Sequence, residues 1–137
     1  MPKFLITYLT SLVVFCALDF LWLGVVVKEF YMREIGPLLL TSPRKEPAIA
    51  FYLLYVGGVV VFAVAPALDA DRWEKALGYG ALLGLIAYAT YDLSNLATLK
   101  DWSTRVALVD MAWGAVATAT AATAGFFLSR LIIARLT

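Results

Sequence analysis

Four largely apolar runs, 4–27, 48–68, 76–99 and 106–133, divide this sequence. Each reaches the roughly 20 residues that a helix needs to cross a bilayer core. A backbone in lipid finds no water to bond, so a spanning run must satisfy its own amides as a helix. The expectation is an all-α integral membrane four-helix bundle, built as one membrane domain over 1–137. Composition agrees: 63% of residues are hydrophobic, 15% are charged and mean hydropathy is +0.85. A soluble domain runs nearer half apolar and a quarter charged. The first run is too long for a secretory signal and is interrupted by Asp19, so it reads as a retained span.

Several chemistries are excluded. There is no histidine, which removes His-ligated haem, His-bound zinc and His-based triads. Cys16 is the single cysteine, so no disulfide forms within the chain. A net charge of +1 excludes a polybasic nucleic-acid binder.

The connectors are short except the first, "KEFYMREIGPLLLTSPRKEP". Its opening residues read either as a short interfacial amphipathic helix broken at Gly36-Pro37 or as an ordered loop. In "DADRWEK", Asp71 with Glu74 three residues on reads as a capping box opening the third span. In "KDWSTR", Asp101 or Ser103 opens the fourth, and Trp73 and Trp102 sit where indoles favour the headgroup level. The side carrying the termini has Lys3, Arg72, Lys75, Arg130 and Arg135. The far side has Lys28, Arg33, Arg44, Lys45, Lys100 and Arg105, so the positive-inside rule assigns no orientation. Gly80 and Gly84 in the third span and "GAVATATAATAG" in the fourth allow close backbone approach. They read first as packing within one chain and second as a homodimer interface.

Against this background three carboxylates stand out: Asp19 in "CALDFLWLG", Asp92 in "YATYDLSNL" and Asp110 in "VALVDMAWG". Counting 1.5 Å per residue from each midpoint places them ~5, ~7 and ~10 Å towards the far side. Trp22, Asn95 and Trp113 follow them at i+3, on the same helix faces. The second span brings Tyr52 and Tyr55 to that level, and Tyr91 adjoins Asp92. The expected binding site is therefore Asp19, Trp22, Tyr55, Tyr91, Asp92, Asn95, Asp110 and Trp113. Charge inside a membrane is costly, by ~2.5–3.5 kcal/mol on insertion scales, and marks function or pairing. Three acids with no Lys or Arg at their depth cannot all remain ionised. Carboxylates spread over three spans form no recognised metal loop, so neither metal nor cofactor is expected.

In "YDLSNLATLKDW", "LDFLWLG", "FYLLYVGG" and "VDMAWG" the chain resembles a bacterial family of four-span membrane proteins known as a domain of unknown function. The resemblance covers nearly the whole chain and implies a multi-pass protein of the bacterial inner membrane. It brings no activity with it. The residues themselves suggest binding or transport of a small or lipid-like ligand, with proton coupling through the acids. Two alternatives stay open: an enzyme acting on a lipid or isoprenoid by Asp-based acid–base chemistry, and a non-catalytic assembly partner.

Overall fold

The computed structural model describes residues 2–136, and among them every regular element is helical. Helix α1 (Pro2–Leu21) continues into a π-helical turn, Trp22–Val26. Helix α2 (Lys28–Ile35) follows at once and ends in a 3₁₀ turn at Gly36–Leu38. The first half of the long connector is thus a short helix that stops at Gly36-Pro37, and Ile35 and Val27 anchor its buried side. Helix α3 (Lys45–Val59), a second π turn (Val60–Val64) and α4 (Ala65–Ala70) form one continuous rod. Helices α5 (Trp73–Thr98) and α6 (Thr104–Leu136) complete the bundle.

The second π turn has a local cause. Pro66 has no N–H for the carbonyl four residues back, and its ring crowds that carbonyl. Widening the turn just before it makes room. The same widening drives Val60, Ala63 and Val64 into the core, where they meet α5, α1 and α6.

Among the described residues three helices are long and apolar enough to cross a membrane: Lys3–Val26, Lys45–Ala70 and Thr104–Leu136. Helix α5 is also long, at 26 residues, but it carries Glu74, Lys75, Asp92, Asn95 and three tyrosines. It lies along α6, and this pair forms the most extensive contact in the molecule. The contact exists because glycine lines it. A Cβ on Gly84 would fall 2.0 Å from the Gly114 carbonyl oxygen, and one on Gly80 would fall 3.0 Å from the Ala122 Cβ. The Gly80/Gly84 pair and the small-residue stripe of α6 therefore pack within one chain. Helix α6 is the central column, with α1 on another flank. Thr10 and Ser129 join α1 to α6 by a 3.1 Å hydrogen bond between hydroxyls.

The junctions correct one expectation. Asp71 does not cap the helix that follows it; it closes α4 in the left-handed conformation, φ 55°, and its carboxylate pairs with Arg130 at 3.0 Å. Arg72 takes the N-cap position of α5 without a side-chain cap, and Glu74 pairs with Arg72 at 3.2 Å. Two residues between α4 and α5 leave no room for separate caps. At the other junction Ser103 is the cap: its Oγ accepts from the Val106 amide at 3.2 Å and donates to Glu34 Oε1 at 2.6 Å. Asp101 occupies the left-handed region, φ 63°, in the turn before it. Ser103→Ala removes both the cap and the tie to α2. A loss of about 1 kcal/mol is expected, read as a lower unfolding midpoint in detergent.

Candidate functional site

The three acids lie at matching heights. Each stands roughly six or seven residues, about 9–11 Å, inside the far end of its helix: Asp19 before Val26, Asp92 before Thr98, Asp110 after Thr104. Asp19 is 6% exposed and Asp92 0%, while Asp110 is half-buried.

Asp19 is the best satisfied. It accepts a short hydrogen bond from the Tyr52 hydroxyl at Oδ2 and one from Trp113 Nε1 at Oδ1, 3.1 Å. The Trp113 indole then stacks on Trp22, with centroids 4.3 Å apart and planes 1° from parallel. Trp22 Nε1 donates to the Tyr31 hydroxyl at 3.3 Å, and that hydroxyl donates to Asp110 Oδ1 at 2.7 Å. Asp19 and Asp110 are thus joined through two stacked indoles and a phenol. The π turn at the end of α1 begins at Trp22, where a widened turn helps set the direction of the indole.

Burial and the Asp110 carboxylate push the Tyr31 phenol well above its ordinary range. Tyr31 is therefore a donor throughout the physiological range.

Asp92 differs from the other two. It stands beside Asp110 and the Trp102 indole, yet neither of its oxygens has a hydrogen-bond partner, and Trp102 Nε1 is likewise buried without an acceptor. Among the described residues the ion pairs are Arg72–Glu74 and Arg130–Asp71, at the termini side, so none of the three acids is neutralised by a cation. An isolated buried carboxylate costs far more than a neutral acid.

A cavity of about 260 Å³ opens beside this network, lined by Phe51, Ala87, Tyr88, Tyr91 and Asp110. It lies where the backbone of α3 diverges from α5 and α6, which approach the second rod most closely at the π turn and α4 and meet α3 below through the side chains of Tyr55, Val56 and Val59. Phe51 and Tyr91 are 44% and 56% exposed, so the cavity opens sideways between α3 and α5. At its base Tyr55 stands 6.2 Å from Tyr88, ring centre to ring centre.

The structure brings Asp19, Trp22, Asp110 and Trp113 into one bonded set. Asp92 adjoins it, and Tyr91 lines the cavity, edge-on to Trp102 at 5.6 Å. Asn95 lies half-buried one turn beyond Tyr91. Tyr55 does not reach the acids. Its hydroxyl shares a 2.7 Å hydrogen bond with Thr118, and its ring packs 5.3 Å from Phe15. The phenol on Asp19 is Tyr52, one turn earlier, and Tyr31 is the participant that spacing did not single out. Its signal was an aromatic, beside Phe30, in the amphipathic opening of the long connector.

No curated protein and no solved structure matches the chain. One family model does, described as "Predicted membrane protein (DUF2177)", over residues 4–127. With its helices and nearly its whole length accounted for by that match, the chain belongs to this family of membrane proteins.

Proposed function

We propose that this protein crosses the bilayer four times, α5 included, and binds a small or lipid-like ligand in the cavity beside Asp110. The observation that carries the reading is an acid at the back of an aromatic cavity, tied to a second acid through two stacked indoles and a phenol. Ligand pockets have this make-up: mostly apolar walls with a few convergent polar groups. Asp92, buried beside Asp110 and outside the hydrogen-bonded set around Asp19, is the acid through which ligand and proton binding would be linked. Multi-pass residence in a bacterial inner membrane, and transport rather than binding alone, belong to the same proposal. A homodimer would have to use faces other than the Gly80/Gly84 seam, which α6 already occupies.

Native mass spectrometry of protein released from its own membranes in mild detergent tests it. Wild type should retain a bound small molecule at one per chain. Asp110→Asn should reduce its occupancy about tenfold, as expected for losing a charge-assisted hydrogen bond of ~1.5–3 kcal/mol. Equal retention by both proteins, or none by either, would remove the reading.

A further inference from the structure

Resting on that reading, we infer that the cavity takes the cationic head of an amphiphile, which reaches it sideways from the bilayer through the gap between α3 and α5.

The sign of the charge follows from the lining. Tyr31 donates to Asp110 Oδ1, and the buried Asp92 stands next to it. Among the residues that line the cavity, Asp110 is the one that can carry a charge, and that charge is negative. Among the described residues no ion pair reaches it. A positive ligand group would supply the missing partner, and it would do so where water is scarce and Coulomb attraction strong.

The walls suit the same group. Phe51, Tyr88 and Tyr91 line the cavity together with Asp110, and the faces of such rings attract a cation. A quaternary ammonium fits these walls, since it needs no hydrogen-bond acceptors beyond the single carboxylate. An anion would meet Asp110 unpaired and find no Lys or Arg among the lining residues.

The route follows from exposure. The two aromatic walls that belong to α3 and α5, Phe51 and Tyr91, are the ones left open on the flank of the bundle. At the height of these acids that flank faces acyl chains. A ligand with an alkyl tail can leave the tail in lipid while its head turns inward to Asp110. Ala87 is the small residue of the lining, and it leaves the space that the head would fill.

The test uses the full chain in nanodiscs of a neutral lipid, with probes dosed as mole fraction of lipid and binding read from tryptophan fluorescence. Dodecyltrimethylammonium should bind saturably, at least tenfold more tightly than dodecyl sulfate. Tetramethylammonium, which lacks a tail, should be at least a hundredfold weaker. Asp110→Asn should weaken the dodecyl probe tenfold or more, and Asp110→Glu should retain it. Ala87→Phe, which fills the space and leaves every charge in place, should block it, so the inference does not depend on one variant folding. Equal binding of the sulfate, or indifference to both Asp110→Asn and Ala87→Phe, would overturn it. If the native ligand stays bound and Asp110-dependent while the ammonium probe does not bind, the ligand class is wrong and the site stands. If neither is bound, both readings fall.

Discussion

Gly84→Ala and Gly114→Ala should each destabilise the protein by about 3 kcal/mol or more, at the upper end of the usual ~1–3 kcal/mol for overpacking. The reason is what the new methyl meets. At Gly84 it would lie 2.0 Å from the Gly114 carbonyl oxygen and 2.7 Å from its carbon, atoms of a helix backbone that cannot turn aside. At Gly114 it would lie 2.3–2.7 Å from ring and Cβ atoms of Tyr88. Tyr88 lines the cavity, so Gly114→Ala should also displace a wall and weaken ligand binding. Gly58→Ala and Gly24→Ala are the controls, since nothing lies within 4 Å of a Cβ at either place. They should leave the midpoint unchanged or raise it slightly through better helix propensity. Unfolding midpoints in maltoside detergent, followed by circular dichroism, separate the two pairs.

The acids should respond to truncation with opposite signs. Asp19→Ala leaves the Tyr52 hydroxyl and the Trp113 Nε1 proton without their acceptor. A stranded buried donor costs ~1–3 kcal/mol, so a loss of about 2–4 kcal/mol is expected. Asp92→Ala removes two buried oxygens that have no partner. It should cost nothing or stabilise by about 1 kcal/mol, while abolishing any proton linkage of ligand binding. Denaturant titration of both variants in the same detergent reads the difference. A pair of equal losses would mean that Asp92 is hydrogen-bonded in solution after all. A stabilising removal of a buried acid is what a functional residue held at the expense of stability produces.

The heights of the acids were legible in the sequence because helix rise converts position into depth, and apolar runs set the zero for each helix. Faces were legible too: i+3 spacing put Trp22 beside Asp19 and Trp113 beside Asp110. Which rings meet across helices was not. Tyr52 and Tyr55 share one helix face, and only the way α3 lies on α1 gives Asp19 to Tyr52 and Thr118 to Tyr55. Tyr31 lies 79 residues from its partner Asp110, on a helix whose docking depends on Val27 and Ile35 rather than on any local signal. The capping box at Asp71 was a correct local pattern overridden by its surroundings. A two-residue junction needed a left-handed residue to end α4, and an aspartate tolerates that conformation. The second π turn was prefigured by Pro66, yet its consequence is a tertiary matter: α3 leaves α5, and the cavity opens where they separate.

The connected arrangement of the acids is tested most directly by solid-state NMR on the protein in lipid bilayers, labelled with ¹⁵N at tryptophan Nε1 and ¹³C at aspartate Cγ. The account predicts a through-space cross-peak between Trp113 Nε1 and Asp19 Cγ, consistent with the 3.1 Å donor–acceptor distance, which disappears in Asp19→Asn labelled in the same way. A folded sample without that cross-peak would contradict it, because Asp19 and the Trp113 end of the aromatic chain would then not be in contact.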